Sequence, residues 1–554
     1  MVVNQDQNKG RAPQLTSSRL IVFTCLYFEI ILNLSLWRFV IANLEVNSVT
    51  TLIFGASLPV FLFIGLYFIL NVLLWPYIYK PVLVTLVILS SIANYVMYQY
   101  GIFIDSDMMR NVFETNQREA FDYVNPSGFL WLLFSGLIPS VLVLKSKVVF
   151  PPILKEIRNR SLALLVCLLL LGLMAVTLYK EYVIFGRKNR QITRLINPVN
   201  YIYGTWRYFQ RQALAKREFV RIDEDVRHAS FEDEYITVFV VVVGETARAM
   251  NFSLNGYERN TNPLMSGLDV ISYKDVTASG TATAISLPAM FSQLPRSKFK
   301  LNDAVYSENI IDLLANSGYE VVWLENDNGC KKVCDRVFTR DMVAENNPKY
   351  CDGTYCFDEV MIEPLEKILG EVEKDTVIVL HAIGSHGPSY YKRYPDGFKA
   401  FQPTCDTSEV QNCPSETIVN TYDNTIVYTD YFLNQVINAL QKHPQLEAGM
   451  LYVSDHGESL GENGIYLHGL PFSIAPDEQI KVPMILWMSE TMKTEDHIDY
   501  ECLRQRAAEP YSHDNLFHSL AGLMEIDTQT YEADLDLFTP CRLKPLPGLA
   551  DNLE

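Results

Sequence analysis

Near the middle of the chain lies the segment Ile236-Thr-Val-Phe-Val-Val-Val-Val-Gly244, which is almost continuously apolar and rich in valine. Such a run is typical of a β-strand that is buried on both faces. Similar runs follow at residues 319–324, 376–381, 450–454 and 482–487. Amphipathic helices are predicted between them, for example at 310–316 and 428–441. Strands that alternate with helices predict an α/β domain with a largely parallel sheet.

Three of these strands end in residues that can bind a metal. Glu245 follows the first strand, His381 ends another and is followed by His386, and Asp455 and His456 follow a third. Ligand sites in open α/β sheets lie outside the carboxyl ends of the strands, so these side chains are expected to converge. Carboxylate and imidazole groups suit a catalytic Zn²⁺. For His381 a purely structural hydrogen bond is the competing interpretation.

A segment rich in small and hydroxyl-bearing residues, 277–288, provides a candidate nucleophile. Its backbone amides can approach a phosphate closely, and a helix that begins near Thr283 would place its positive N-terminus at the anion. A threonine hydroxyl needs activation before it attacks phosphorus, and contact with Zn²⁺ would supply it. Without a metal, the same segment would be an ordinary Ser/Thr-rich loop.

The first third of the chain is dominated by apolar stretches that are long enough to cross a bilayer core of about 30 Å. Five such stretches occur, at residues 20–37, 52–76, 81–99, 127–144 and 161–179. The alternative, five buried helices of a soluble protein, does not account for their apolar runs with basic flanks. Basic residues between the fourth and fifth stretches mark that loop as cytoplasmic. The amino terminus is then cytoplasmic and everything after the fifth span is on the other side.

Basic and aromatic residues alternate in the segment that follows the last span, 181–228, as in segments that lie on lipid headgroups. A solvated linker is the alternative. Residues 1–221 carry 22 Lys and Arg against 11 Asp and Glu, and because the whole chain has a net charge of −18, the remainder has −29. An acidic domain of this kind is a poor candidate for binding nucleic acid, and none is expected as a partner.

Eight of the ten cysteines lie in the exported part, and two, Cys25 and Cys167, lie in predicted spans. An even number of cysteines in an oxidising compartment favours disulfides. Close spacing favours the pairs Cys330 with Cys334, Cys351 with Cys356 and Cys405 with Cys413; the pairing of Cys502 and Cys541 stays open. The alternative for the first two pairs is a four-cysteine zinc site.

Six short motifs occur in the order and context known from one family of enzymes. They are Gly244-Glu-Thr-Ala-Arg248, Asn255-Gly-Tyr257, Gly280-Thr-Ala-Thr283, Gly384-Ser-His-Gly-Pro388, Ser454-Asp-His-Gly-Glu458 and Leu467-His-Gly469. Together they resemble the lipid A phosphoethanolamine transferases, which include the mobile colistin resistance enzymes and belong to the alkaline phosphatase and sulfatase superfamily. The resemblance covers nearly the whole chain.

This resemblance implies a role for individual residues. Glu245, Thr283, Asp455 and His456 would hold one catalytic zinc, and Thr283 would be the nucleophile. His386 and His468 would contact the transferred group or a second zinc, and Lys331 would contact a phosphoryl oxygen. His381 is a further candidate for the second-metal or substrate-binding group because of its position at a strand end, and not because of the resemblance. Asp327 departs from the amide that relatives often carry. Ser279 and Ala289 replace a cysteine pair of many relatives, so the nucleophile loop is expected to be held by packing alone. The remaining histidines match no motif and are expected to be structural or solvated: His228, His443, His497, His513 and His518.

The expected architecture is an N-terminal five-helix transmembrane domain plus a periplasmic α/β domain like that of alkaline phosphatases and sulfatases, with a largely parallel sheet. Its parts are a transmembrane domain at 1–180, an interfacial linker with amphipathic helices at 181–230 and a catalytic domain at 231–554. The resemblance implies an inner-membrane protein of Gram-negative bacteria, active as a monomer, that moves phosphoethanolamine from phosphatidylethanolamine to lipid A and so confers polymyxin resistance. The alternatives are a related phosphoglycerol or phosphoryl transferase, a phosphodiesterase of the same superfamily, and a non-enzymatic scaffold with a decayed site.

Overall fold

A computed structural model of the chain describes residues 15–115, 120, 123–214, 218–228 and 235–544. The described chain divides into two compact units, one up to residue 109 and from 124 to 208, the other at 110–123 and from 209 onward. Residues 1–14, before the first predicted span, lie outside the described residues, as do residues 215–217 and 229–230 of the predicted linker.

The first unit is built of helices. Their bounds are α1 Ser17–Ile30, α2 Leu34–Asn43, α3 Val49–Leu73, α4 Tyr79–Tyr100, α5 Ser106–Glu114, which extends into the second unit, α6 Pro126–Lys145, α7 Ile153–Lys188 and α8 Val199–Leu214. A short parallel pair joins β1 Leu15–Thr16 to β2 Val148–Val149.

Four of these helices are long and apolar enough to span a membrane: α3, α4, α6 and α7. The first predicted span forms two helices instead, α1 and α2, which meet at an angle of 54° and would count as a fifth span only if taken together. Ser48 caps α3 by accepting a hydrogen bond from Thr51 N, while the Thr51 side chain accepts one from Ser48 N. The outward faces of the spans carry many exposed apolar side chains, as expected of helices that face lipid.

The second unit contains a seven-stranded sheet with helices on both sides. Its strands are β4 Ile236–Gly244, β5 Ile271–Tyr273, β7 Glu320–Glu325, β8 Phe338–Asp341, β9 Thr376–His381, β10 Leu446–Ser454 and β13 Met484–Met488, in the order β5-β13-β10-β4-β9-β7-β8. From β10 to β8 neighbouring strands are parallel, whereas β13 is antiparallel to both β10 and β5. The predicted, largely parallel α/β sheet is therefore present.

Small strand pairs and further helices complete this unit. The strands are β3 Arg227–His228, β6 Asp275–Thr277, β11 Ser459–Leu460, β12 Tyr466–Leu467, β14 Pro510–Ser512 and β15 Ile526–Asp527. The helices are α9 Thr283–Met290, α10 Leu301–Val305, α11 Ile310–Ser317, α12 Met342–Glu345, α13 Ile362–Glu371, α14 Ser415–Gln441, α15 Asp477–Ile480, α16 Glu490–Glu495, α17 Tyr500–Arg506 and α18 Asp514–Leu523.

The central strand β4 is buried on both faces, because its residues 238–243 have no exposed surface. Trp323 in β7 and Leu451 in β10 belong to the same core, together with residues of the covering helices α9, α11 and α18. This burial explains the continuous valine run, since a strand covered on both sides needs apolar residues at every position. A rigid, central β4 holds the residue that follows it in a fixed place.

Disulfides link all eight cysteines of the second unit: Cys330–Cys334, Cys351–Cys356, Cys405–Cys413 and Cys502–Cys541. The first three are the pairs that close spacing favours. The alternative of a four-cysteine zinc site is wrong, because these sulfurs are bonded to one another and cannot serve as thiolate ligands. Cys25 and Cys167, in α1 and α7, remain buried free thiols.

Candidate metal centre and nucleophile

The carboxyl ends of the central strands meet at one edge of the sheet. Ser454 at the end of β10 is in register with Gly244 at the end of β4, and β9 pairs with β4 up to His381. Glu245 and Asp455, each one residue beyond its strand, therefore emerge side by side. This is the convergence that the alternating strands and helices predict.

Four side chains meet at this edge. Thr283 Oγ1 donates a hydrogen bond to Glu245 Oε2 at 3.0 Å and lies 3.4 Å from His456 Nε2. His456 Nε2 in turn lies 3.4 Å from Glu245 Oε1 and 3.4 Å from Asp455 Oδ2. Glu245, Asp455 and His456 have no exposed surface. The structure thus brings together all four residues that the resemblance assigns to one zinc.

The donor set fits a metal ion. Among the described residues, Glu245 Oε1 and Asp455 Oδ2 are buried without a hydrogen-bond partner, although such atoms are costly to leave unpaired. His456 Nδ1 donates to Gly457 O at 2.9 Å, which leaves Nε2 with a lone pair that points at the carboxylates. Burial, and then the neighbouring charges of Asp455 and Asp327, raise the pKa of Glu245 well above its usual range. A cation would remove this repulsion.

The nucleophile candidate sits at the first position of α9. The cap residue Ala282 is extended, and Thr283 begins the helix, as the sequence predicts. Ser286, one turn later, donates through Oγ to Asp455 O and so ties the helix to the strand end. Gly280 leaves room for this approach, because a Cβ at that position would lie 2.9 Å from Ser286 N. Backbone and side chain together fix Thr283 against the carboxylates.

The nucleophile loop is held by hydrogen bonds as well as by packing, so the expectation drawn from Ser279 and Ala289 that packing alone holds it is wrong. Ser279 N donates to His513 Nδ1 at 3.1 Å, and Ser279 Oγ donates to Asp514 Oδ1 at 3.4 Å. His513 Nε2 donates to Ser454 O at 2.9 Å, so one imidazole connects the loop to β10. Burial lowers the pKa of His513 to about 4 and keeps it neutral, as these two hydrogen bonds require.

A cluster of three histidines lies beside the four residues. The ring centroid of His468 lies 4.4 Å from that of His456 and 5.7 Å from that of His386. His468 Nδ1 donates to Glu458 Oε2 at 2.7 Å, and Glu458 Oε1 accepts from Tyr390 Oη at 2.5 Å. This hydrogen bond fixes the tautomer of His468 with its proton on Nδ1.

The electrostatic surroundings keep His386 neutral. Burial, and then the positive charge of Arg393 and the other two imidazoles, hold the pKa of His386 well below its usual value. Lys331 adds to this field from a loop closed by the Cys330–Cys334 disulfide, where its Nζ donates to Asn328 O at 2.8 Å. The backbone of Lys331 has φ 48°, an uncommon conformation for a residue with a side chain.

His381 is tightly bound to an acidic neighbour. Its Nδ1 donates to both oxygens of Glu325 at 2.9 Å, and the two residues are in register at the ends of β9 and β7. Burial opposes protonation of His381, but the charge of Glu325 outweighs it and raises the pKa to about 9. Among the described residues, His381 Nε2 has no hydrogen-bond partner.

Three residues that shape the site are not predicted from the sequence to act there: Glu325, Glu458 and His513, of which the last is expected to be structural or solvated. A usable signal existed for the first two. Glu325 ends a predicted strand just as His381 does, and Glu458 belongs to the same motif as Asp455 and His456. His513 carried no such signal, because it comes from a part of the chain 234 residues away from Ser279.

Comparison with known families agrees with this two-part construction. The Sulfatase family model matches residues 237–526, and the model of phosphoethanolamine transferase EptA/EptB matches residues 62–213. The first match contains all four residues of the candidate metal centre. The second falls on the apolar helices and α8.

Similar proteins cover between 80% and 96% of the chain. The phosphoethanolamine transferase EptA of Escherichia coli K12 is 39% identical, with 96% of this chain and 98% of that protein covered. The phosphatidylethanolamine transferase Mcr-1 of E. coli is 35% identical, with 80% and 83% covered. The solved structure of the integral membrane protein lipooligosaccharide phosphoethanolamine transferase A from Neisseria meningitidis superposes with a TM-score of 0.94 at 37% identity, covering 96% of this chain and 100% of that one. The chain therefore belongs to the phosphoethanolamine transferase family, with a sulfatase-like domain as its second unit.

Proposed function

We propose that this protein transfers phosphoethanolamine from phosphatidylethanolamine to a phosphate group of lipid A. The names of its relatives support the transferred group, the donor and a lipopolysaccharide-type acceptor. One observation in the chain itself carries the proposal: a threonine hydroxyl at the start of a helix lies 3.0 Å from a buried carboxylate and 3.4 Å from a buried imidazole. A scaffold with a decayed site would not need to keep this arrangement.

The residues that would hold a zinc ion are Glu245, Thr283, Asp455 and His456. When bound, Zn²⁺ would act as a Lewis acid that favours the alkoxide form of Thr283 and offsets the phosphate charge. The protein supports this chemistry by excluding water from Glu245, Asp455 and His456, which are fully buried. Charges in such a site are screened far less than in water.

The first half of the reaction would form a covalent intermediate. Thr283 Oγ1 attacks the phosphorus of phosphatidylethanolamine, a new O–P bond forms, and the bond from phosphorus to the diacylglycerol oxygen breaks. Glu245 Oε2, which accepts the hydrogen bond of the hydroxyl, is placed to receive its proton. That proton ends on the oxygen of diacylglycerol, so the threonine carries phosphoethanolamine and charge is balanced.

In the second half of the reaction, phosphoethanolamine would pass from Thr283 to the acceptor lipid in the same site. An oxygen of a lipid A phosphate monoester attacks the phosphorus on Thr283, the Thr283 O–P bond breaks, and the proton of the acceptor phosphate passes by way of Glu245 to the threonine oxygen. His386, His468 and Lys331 would bind oxygens of the transferred group. Support for this role comes from the Glu458–His468 hydrogen bond, which fixes the orientation of the His468 ring beside His456.

The helices of the first unit would hold the enzyme in the inner membrane, where both lipid substrates reside. We assign the amino terminus to the cytoplasm and the second unit to the periplasm, where its four disulfides can form. Residues 181–230 would act as an interfacial linker between a transmembrane domain at 1–180 and a catalytic domain at 231–554. Reporter fusions after each span test this orientation, and light scattering of the purified chain tests the expected monomer.

The cellular consequence follows from charge. Each added ethanolamine places a cation on a lipid A phosphate and lowers the negative charge of the outer surface. Cationic peptides such as polymyxins should then bind more weakly. Expression of the active chain is therefore expected to raise the polymyxin concentration that inhibits growth.

Mass spectrometry of lipid A from cells that express the wild-type chain or the Thr283→Ala variant tests the proposal. We expect a phosphoethanolamine-sized mass increase with the wild type and none with the variant. The same increase in both would remove Thr283 as nucleophile. An increase of a different headgroup mass would favour a related phosphoglycerol or phosphoryl transferase. Consumption of phosphatidylethanolamine without any modified lipid A would favour a phosphodiesterase.

A further inference from the structure

Glu245 belongs to a second group of metal-binding side chains. Ligand atoms of Glu245, Asp327 and His381 lie within 4.8 Å of one another, separately from the group that Glu245 forms with Asp455 and His456. Glu245 and His381 have no exposed surface, and Asp327 is half-buried. One carboxylate at the end of β4 is therefore shared between two clusters.

The second cluster leaves three atoms unpaired. Glu245 Oε1, Asp327 Oδ1 and His381 Nε2 are each buried and find no hydrogen-bond partner within the described parts of the chain. Buried polar atoms are normally paired, because an unpaired one costs about 1–3 kcal/mol. Glu245 Oε1 also borders the first cluster, so Asp327 Oδ1 and His381 Nε2 are the two unpaired atoms that indicate a further ligand here.

Glu325 orients the imidazole of this cluster and is itself saturated. Its two oxygens accept from His381 Nδ1 at 2.9 Å, from Trp323 Nε1 at 2.9 Å, from Asp327 N at 2.9 Å and from Gly329 N at 3.2 Å. A carboxylate that binds Nδ1 of a histidine fixes the ring so that Nε2 faces a metal. Both oxygens of Glu325 are therefore already hydrogen-bonded, and Glu325 affects the cluster by fixing the orientation of the His381 ring.

The loop that carries Asp327 is fixed as firmly as the strand ends. Asn326 N donates to His381 O at 2.9 Å, and Asn326 Nδ2 donates to Asp358 Oδ1 at 2.8 Å. Asp358 also accepts from Ile383 N at 2.9 Å. Asn326 is therefore held by one backbone and one side-chain hydrogen bond, and it fixes the position of the adjacent Asp327, which is the rigidity that a metal site requires.

We propose that Glu245, Asp327 and His381 hold a second divalent cation, of the Zn²⁺ type, beside the first. Two carboxylate oxygens and one imidazole nitrogen form the three-ligand set of an open zinc site, in which the fourth position is left to water or substrate. The proposal deepens the proposed function and rests on it in one respect, because the two cations share Glu245. It places the second cation away from the pair His386 and His468.

Charge provides the physical reason for a second cation. Glu245, Asp327 and Asp455 repel one another inside the protein, and one Zn²⁺ offsets only part of their charge together with that of the incoming phosphate. A second cation would neutralise Asp327 and hold the shared carboxylate in one orientation, so that its other oxygen stays directed at Thr283. A proton on His381 Nε2 is the alternative to a metal ion at this atom, because the neighbouring Glu325 raises the pKa of His381 to about 9.

Metal counting on the purified full-length chain tests the proposal without using activity. The protein is stripped with a chelator, dialysed against Zn²⁺ at pH 7 and analysed by mass spectrometry of the element. We expect two zinc ions per wild-type chain and one in both His381→Gln and Asp327→Asn. The Glu325→Gln variant should keep both sites but bind the second ion about 10- to 100-fold more weakly in a titration.

Controls separate this proposal from its alternatives. His518→Gln removes another buried imidazole, one that accepts from Glu532 N, and should leave two ions bound. The double variant His386→Gln/His468→Gln should also retain two ions.

Two outcomes would overturn the proposal while leaving the first zinc intact: one ion in both wild type and His381→Gln, or loss of the second ion only in the double variant. No zinc in the wild type would refute the metal dependence of the proposed function as well. Asp327→Asn, in a half-buried loop, keeps the test valid if His381→Gln does not fold.

Discussion

His468 Nδ1 donates a hydrogen bond to Glu458 Oε2 at 2.7 Å, and Glu458 has no exposed surface. Glu458 lies only two residues after His456, so one short segment supplies both a candidate zinc ligand and the carboxylate that orients a neighbouring imidazole. Because Glu458 accepts a hydrogen bond from the Nδ1–H group of His468, the tautomer of this imidazole is fixed with its proton on Nδ1. This relationship makes Glu458 a positioning residue rather than a catalytic one.

Replacing Glu458 by Gln should therefore lower kcat by about 10- to 100-fold with little change in KM, because His468 loses its fixed orientation but no substrate contact is removed. Transfer to lipid A by the purified enzyme measures both constants. Glu458→Asp should recover part of the loss. Glu447→Gln serves as the matched control, since this buried carboxylate accepts from Thr237 Oγ1 at the opposite end of β10 and should leave kcat unchanged. Equal losses in the two Gln variants would contradict the assignment.

The loop before Thr283 provides a second prediction. His513→Gln should destabilise the protein by about 1–3 kcal/mol, because Ser279 N and Ser454 O lose their buried partner. Thermal unfolding in detergent measures this as a lower Tm, and transfer activity should fall with it. Ser279→Ala is the control, since it keeps the backbone N–H that His513 accepts. We expect it to change Tm little, and a larger shift for Ser279→Ala than for His513→Gln would argue against the connection.

The strands and the four central residues could be predicted from the sequence because both depend on local pattern. The valine run predicts β4. A charged residue that directly follows a buried strand, such as Glu245 or Asp455, lies at the carboxyl edge of the sheet, where ligands bind. The orientation of His381 could not be predicted, since it depends on the register that places Glu325 opposite it. The bend between α1 and α2 could not be predicted either, because hydropathy gives the length of an apolar stretch but not the direction of the helices that it forms.

The longest disulfide loop should contribute most to stability. Cys502 and Cys541 are separated by 39 residues, and loop-closure entropy gives about 4 kcal/mol for such a link. For Cys405 and Cys413, separated by 8 residues, the same relation gives about 2.5 kcal/mol. The double variant Cys502→Ala/Cys541→Ala should therefore have a lower Tm than Cys405→Ala/Cys413→Ala. The reverse order would show that packing around each bridge outweighs chain entropy.

Acid should destabilise the second unit through His518. Burial lowers the pKa of this imidazole to about 4, whereas in the unfolded chain it is about 6.5. Between these values the unfolded state binds more protons, so stability falls as the pH falls. From pH 7 to pH 5 the loss from this one group is about 2 kcal/mol. The decrease in Tm over this range should be smaller in His518→Gln than in wild type, and identical slopes would exclude His518 as a source.

Removal of the metal should both stop transfer and weaken the fold. Glu245 and Asp455 are buried with oxygens unpaired in the described chain, so we expect a cation to bind the folded state and not the unfolded chain. Such a ligand would stabilise the folded state by about 4 kcal/mol when it is present at 1,000 times its Kd. Chelator treatment is expected to lower Tm, and added Zn²⁺ is expected to restore both Tm and activity.

Protons should compete with the metal, because burial and the neighbouring carboxylates raise the pKa of Glu245. The Zn²⁺ concentration needed for recovery should therefore be higher at pH 5.5 than at pH 7.5. In the Asp455→Asn variant one unpaired carboxylate oxygen is lost, and Tm should respond much less to Zn²⁺. An undiminished response in Asp455→Asn would place the stabilising ion elsewhere than at the end of β10.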